Sequence, residues 1–383
     1  MKKNVFKGLL TMCAFAAAFT SCSKENNEIP NPGENDTKSV FMKMDLPAVT
    51  RAVEQPVTGT ATVNNLHVYF HDNTNILKYV NVTSSTSITI ANLTAGAKIA
   101  DVPASATHVT IYGNIPSGTS LPTGGTLASV KAVEIGITSQ STITDVVLGG
   151  ADKALSTYSG GVAPSWAAGI SDGDKYAEVE IAPAVARIEI AGLKAGGNVT
   201  AFTLEGIFVN NFFEKFKLEG STVGAKTQYG ADATKYAANA PATLYTTANS
   251  GKLFDQPNAV AAGSPLAAAP TGGAAPRWAY QVVPFNDADV NQQLQLIFRL
   301  KDLAATGVTF PPAAPQFLTV RGFKDAGTGV PVQIEAGKIY TISQNDFEFD
   351  ESDLTTVPNT TAVGVWLKVT VKAWTVVPVK PNL

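Results

Sequence analysis

Few residues in this chain stand at a spacing that could do chemistry, and the two most conspicuous sites are places where other enzymes would act. Lys2, Lys3 and Lys7 precede an apolar run from Gly8 to Phe19, which stops at Thr20-Ser21-Cys22. A basic start, a short apolar stretch and a small residue directly before a cysteine make a signal peptide with a lipoprotein-type end. The run is shorter than the roughly 20 apolar residues of a membrane span. Cleavage before Cys22, with lipid attached to its thiol, is the expected chemistry. The second site is Arg51-Ala52. Arg51 stands alone in a stretch bracketed by Pro47 and Pro56 and lacking apolar alternation, the profile of an exposed segment open to a trypsin-like protease.

Other groupings carry less. His67 and His71 lie on a predicted strand, where a spacing of four residues separates them by about 13 Å, too far to share one metal ion. They are read as solvent-facing. The acidic stretch Asp346, Glu348, Asp350, Glu351 and Asp353 departs from a calcium loop, with Glu351 where glycine is needed and Val357 at the closing position; a solvated turn is expected. Gly124-Gly125 and Gly272-Gly273 read as turns. No nucleophile elbow or phosphate-binding glycine loop occurs. Both cysteines, Cys13 and Cys22, belong to the leader, so the body has no disulfide and no thiolate site. No catalytic residue, metal or cofactor is expected, and no enzyme.

Positioning falls to strands. Charged residues make up 15% of the chain, against roughly 25% in an average domain. A net charge of -3 and the lack of a basic cluster beyond the leader argue against nucleic acid. Cys22 to Ser39 is polar and proline-rich, a tether. Val40, Met42, Met44 and Leu46 then alternate with polar residues, a short strand with one core face. Alternation recurs at Leu66, Val68 and Phe70 and at Leu294 to Leu300, and β-branched runs occur at Val109 to Tyr112, Val130 to Ile137 and Ile143 to Leu148. Gln333 to Ile342 continues the pattern. Gly220 to Pro276 reads as loop-heavy with no legible role. The expected class is all-β, arranged as sandwiches, with a junction near Ile181.

The C-terminus carries the longest pattern. Val363, Val365, Leu367, Val369, Val371, Ala373, Val377 and Val379 share one side of an alternation, broken only at Thr375. At about 3.3 Å per residue the segment spans roughly 56 Å, enough to serve more than one sheet. Such an apolar strand at a free chain end invites pairing with another molecule.

In order and spacing, these features resemble the fimbrillin family of major shaft pilins from type V pili. The shared marks are the leader ending at Cys22, the short strand before Arg51, Ala186-Arg187-Ile188, Ala336-Gly337-Lys338-Ile339-Tyr340, and Val371-Lys372-Ala373-Trp374-Thr375-Val376-Val377-Pro378. The resemblance implies two tandem transthyretin-like β-sandwich domains. It implies a lipoprotein signal peptide at 1–21, a propeptide at 22–51, an N-terminal domain at 52–181 and a C-terminal domain at 182–383 ending in a donor strand at 363–383. It further implies a palmitate-bearing precursor at the cell outer membrane and cleavage between Arg51 and Ala52 by an arginine-specific protease. Removal of the Val40, Met42, Met44, Leu46 strand and donor-strand exchange would follow, giving an extracellular fimbrium that supports adhesion. Partners would be other copies of the chain, minor pilus subunits and the membrane through the lipid. The alternative is a non-polymerising surface lipoprotein of the same fold, a pilus tip, anchor or glycan-binding module, for which Trp166, Trp278, Trp366 and Trp374 are the stacking candidates.

Mass spectrometry of the membrane-extracted chain is expected to find the mature N-terminus at Cys22 bearing acyl chains. An unmodified N-terminus at any other residue overturns that assignment.

Overall fold

The alternating and β-branched runs fold as strands in a computed structural model that describes residues 37–45, 50–52, 56–58, 63–82, 88–140, 145–150, 152–257, 266–268, 277–289, 292–311, 314–325, 330–344, 347–359, 365–373 and 378–379. In the first half these are β1 (Thr37–Asp45), β2 (Thr50–Ala52), β3 (Pro56–Thr58), β4 (Leu66–His71), β5 (Ile76–Val82), β6 (Ala97–Pro103), β7 (His108–Gly113), β8 (Glu134–Gly136), β9 (Leu148–Gly150), β10 (Lys153–Ala154), β11 (Ser156–Thr157) and β12 (Lys175–Pro183). The second half opens with β13 (Ala186–Ile190), β14 (Gly192–Ala195), β15 (Val199–Asn210), β16 (Lys215–Lys217), β17 (Thr222–Val223), β18 (Phe254–Asp255), β19 (Leu266–Ala268) and β20 (Trp278–Val282). It closes with β21 (Gln295–Ala305), β22 (Gln316–Asp325), β23 (Pro331–Val332), β24 (Lys338–Ile342), β25 (Glu348–Phe349), β26 (Leu354–Thr355), β27 (Val365–Ala373) and β28 (Pro378–Val379). Helix is confined, among the described residues, to two short α-helices, α1 (Ile90–Ala95) and α2 (Leu127–Lys131), and a few 3-10 turns. The chain is all-β.

One sheet runs β5-β4-β7-β9-β12-β1-β6 and a larger one β18-β15-β21-β22-β27-β24-β13-β20. The first path uses only strands up to β12 and the second only strands from β13 on. The hairpin β16–β17 reaches across, because Phe216 of β16 pairs with Ile135 of β8. Two long strands change partners midway. Lys175 to Glu180 of β12 pair with β1, whereas Ile181 to Pro183 pair with β9. In β27, Val365 to Val369 run parallel to β22 and Val371 to Ala373 antiparallel to β24. Accumulated strand twist turns the far half of a long strand away from its first neighbour, letting it close a second sheet.

Period-two burial is plainest in β12, where Ala177, Val179, Ile181 and Pro183 point inward and Glu178 and Glu180 outward. Elsewhere both faces are covered. In β13 all five residues are buried: Ile188 and Ile190 join the apolar core, while the Arg187 Nε–H donates to Glu189 Oε1 at 2.7 Å. Burial pushes the Glu189 carboxyl up from its ordinary range, opposed by Arg187.

Three segments depart from the sequence reading. Val130 lies in α2, and only Glu134–Gly136 of its β-branched run is strand, since Lys131 ends the helix at a chain reversal. Within Gln333 to Ile342, strand begins only at Lys338, because Gly337 adopts φ 70° where its N–H donates to the Val185 carbonyl. The stretch from Gly220 has a role after all: it sends Tyr236 and Tyr245 into a buried aromatic cluster with Phe208, Phe254 and Phe317. The Tyr245 hydroxyl donates to the Val209 carbonyl at 2.8 Å, tying the loop to β15.

His71 is also not solvent-facing. It is fully buried, with the turn after β4 folded back so that the Asn73 N–H donates to Nδ1 at 3.2 Å, while Nε2 contacts the Thr110 hydroxyl at 3.0 Å. His67 is half-buried against the Tyr79 hydroxyl at 2.7 Å. Among the described residues no group of three or more His, Cys, Asp or Glu could hold a metal ion.

Desolvation pushes the pKa of both His67 and His71 below the ordinary 6.5. The folded chain therefore holds them neutral, while the unfolded chain protonates them as pH falls through about 6.5. Their contribution to stability is full above that pH and is lost as pH drops from there toward the depressed folded values. The urea midpoint should fall between pH 7.5 and 5.5, and less so in a His67→Gln variant. A pH-independent midpoint over that range contradicts the assignment.

Candidate functional site at the first and last strands

β1 is an interior strand made from the first described residues of the chain. Val40 to Asp45 run parallel to Lys175 to Glu180 of β12, and Thr37 to Met42 run antiparallel to β6, with a bulge between Lys38 and Val40. Its backbone groups are therefore engaged on both sides over the central residues. Val40, Met42 and Met44 are fully buried and belong to the apolar core. These are three of the four side chains predicted for that face; Leu46 lies outside the described residues.

The opposite face is not simply wet. Phe41 is 3% exposed, with the Lys98 ammonium 5.4 Å from its ring centre, a cation–π geometry. Helix α1 packs against β1, and its Leu93 is fully buried. Gly96 ends that helix at φ 101°, where a β-carbon would sit 2.4 Å from the Trp166 carbonyl oxygen. Sequence alternation missed Phe41, although an aromatic on the polar side of an amphipathic strand was the available signal. Two residues on, the Lys43 ammonium donates to Glu178 at 2.6 Å and contacts Asp45 at 2.8 Å. These carboxylates raise the Lys43 pKa, chiefly through the hydrogen bond to Asp45. Removing β1 would open a slot for three core side chains on one face and one aromatic on the other. Four such burials are worth roughly 6–12 kcal/mol in transfer terms, an upper figure.

Just beyond, Arg51 and Ala52 fall in β2, which forms a small hairpin with β3 in the register Arg51↔Val57 and Ala52↔Pro56. This two-stranded ribbon is separate from the large sheets. The backbone at the expected cleavage point is thus extended and paired locally rather than irregular, a difference from the loop reading. Isolated two-stranded ribbons are marginal in water, and an extended segment is the form a protease takes up.

At the other end, Val365, Leu367, Val369, Val371 and Ala373 lie in β27, and Val379 in β28, which runs parallel to β24. Val363, Val377 and Cys22 lie outside the described residues. The last long strand therefore has partners within its own chain, as the length of the pattern anticipated for two sheets. Its neighbours repeat the arrangement around β1, one parallel and one antiparallel. Of the tryptophans considered for sugar stacking, Trp278 is 4% exposed and joins the core, so it offers no ring face to a ligand. Trp166 packs edge-on against Tyr176 at 6.4 Å. The acidic stretch forms a 3-10 turn capped by Asp350, and its Glu351 accepts from the Asn198 N–H at 2.9 Å.

Met42→Ala should cost about 2–5 kcal/mol in urea denaturation of the intact chain, whereas Lys43→Ser should cost less than about 1 kcal/mol. Equal effects would mean that the buried face does not anchor the strand.

No family model matches the chain, and no curated protein matches its sequence. Solved structures do match. A candidate cell adhesion protein from Bacteroides eggerthii superposes with a TM-score of 0.52 at 16% identity, covering 92% of this chain and 100% of that one. A fimbrilin from Porphyromonas gingivalis superposes at 0.50 with 14% identity, covering 91% of this chain and 100% of its own. At such identities the likeness is one of fold, and the fold this chain shares is that of the fimbrilins.

Proposed function

We propose that the chain is a structural subunit of a cell-surface fimbrium, made as a lipid-anchored precursor and polymerised after proteolysis at Arg51. In this reading the segment carrying β1 is released and the C-terminal strand of another copy takes its place, supporting adhesion. The observation that carries it is the position of β1. An interior strand, hydrogen-bonded on both sides and buried on both faces, immediately precedes a small hairpin containing a lone arginine. Cutting there frees the strand covalently without touching the rest of the sheet.

The energetics favour exchange over simple loss. An emptied slot exposes apolar walls and unpaired backbone groups on β6 and β12, so it is costly until refilled. A replacement strand of matching period restores both. The exchange at the groove is then nearly balanced, and dilution of the released peptide gives it direction. Because β27 is paired within its own chain, its donation also opens a place between β22 and β24, so deletion of 363–383 would disturb the donor as well. The more discriminating test is at the cut.

A trypsin-like protease should cleave the purified precursor first after Arg51, giving Ala52 as the new N-terminus and, with time, denaturant-resistant ladders. Arg51→Ala should stay monomeric under the same treatment. A trimmed product that never begins at Ala52, or ladders from the Arg51→Ala chain, would sink the activation scheme.

A further inference from the structure

The surroundings of β1 define a requirement at each position from Val40 to Asp45. Val40, Met42 and Met44 need apolar side chains in a closed core. Position 41 needs a ring beneath the Lys98 ammonium, and position 43 needs a cation against Glu178. Position 45 lies at the polar end of the strand, opposite Glu180. Read in order, the demand is apolar, aromatic, apolar, cationic, apolar, polar, met in this chain by Val-Phe-Met-Lys-Met-Asp.

The start of β27 reads Val365-Trp366-Leu367-Lys368-Val369-Thr370, which meets the same demand at every position. Other registers do not. Advancing by two residues puts Lys368 in the place of the ring, beneath Lys98, so that two ammonium groups meet, and sets Thr370 against Glu178. Advancing by four restores a cation with Lys372 but places Thr370 where the ring belongs and Ala373 where Met44 fills the core, leaving a void. Odd shifts turn the strand over and drive Lys368 into the core without a partner.

We infer that the C-terminal strand enters the groove of the next copy in a single register, Val365 to Thr370 replacing Val40 to Asp45, running parallel to β12. This deepens the polymerisation scheme above and rests on it. Trp366 then lies beneath Lys98, where the larger ring gives a stronger cation–π contact than Phe41, and Lys368 pairs with Glu178. The two side chains off the core face set the register, while the apolar period alone would allow slippage by two.

Thiol cross-linking reads the register directly, because both native cysteines, Cys13 and Cys22, precede Arg51 and leave with the cleaved segment. The full chain carrying Glu178→Cys with Lys368→Cys is cleaved, allowed to polymerise and treated with a short bifunctional thiol reagent. Opposed residues on neighbouring strands lie about 4.8 Å apart, whereas Lys372→Cys in place of Lys368→Cys would stand about 13 Å further along. The expected result is a covalent ladder from the 178/368 pair and none from 178/372. A second pair, Glu180→Cys with Thr370→Cys, tests the same register should the first fail to assemble. A ladder from 178/372 instead of 178/368 overturns the register but leaves strand donation standing. Polymers in which no tail cysteine cross-links to β12 overturn strand donation itself.

Discussion

The rest of the fold depends on a backbone constraint at β1: a strand in the interior of a sheet must satisfy hydrogen bonds on both edges. Here the supplier is the first strand of the described chain, joined to the body through one short hairpin. Neither β6 nor β12 can tolerate an empty place between them, because their N–H and C=O groups point into it and the core beneath is closed by Val40, Met42 and Met44. The sheet needs some strand there, though not this particular segment. That distinction between needing a strand and needing a covalent connection is what makes exchange physically possible.

β12 shows why removing one strand would not dismantle the whole. It is held on its far half by β9 as well as on its near half by β1. Loss of β1 frees one edge of one half while Ile181 to Pro183 stay paired. β27 plays the same two-sheet part in the second half, between β22 and β24. Long strands shared by two sheets fasten the layers together, a task that disulfides cannot perform in a body without cysteines.

Elsewhere, stability is placed away from the exchangeable strand. The second half buries a cluster of Phe208, Tyr236, Tyr245, Phe254 and Phe317, whose edge-to-face contacts lie at 4.9 to 6.2 Å, the range where aromatic pairs add to simple burial. Beside it, the Arg187–Glu189 pair sits buried on β13. A buried pair is weak evidence of net stabilisation, since desolvation offsets its attraction, but breaking it would leave one charge stranded. Together these features make a body able to keep its fold while one strand is replaced.

The amino-acid sequence determined by itself whatever depends on local periodicity. The strand character and core face of Val40 to Met44, Leu294 to Leu300 and β12 were legible because side chains alternate with period two, and burial follows that alternation. The two-sheet reach of the C-terminal segment was legible from its length. What only the tertiary structure decided rests on contacts between residues far apart in the chain. Phe41 is buried because Lys98 covers its ring, and His71 because a turn folds over it. Val130 joins a helix because the chain reverses at Lys131, and Tyr236 and Tyr245 turn inward because β15 offers a cavity and a free carbonyl. The pairing of Lys43 with Glu178, more than a hundred residues away, follows from the parallel register of two strands, and local propensity contains no term for register.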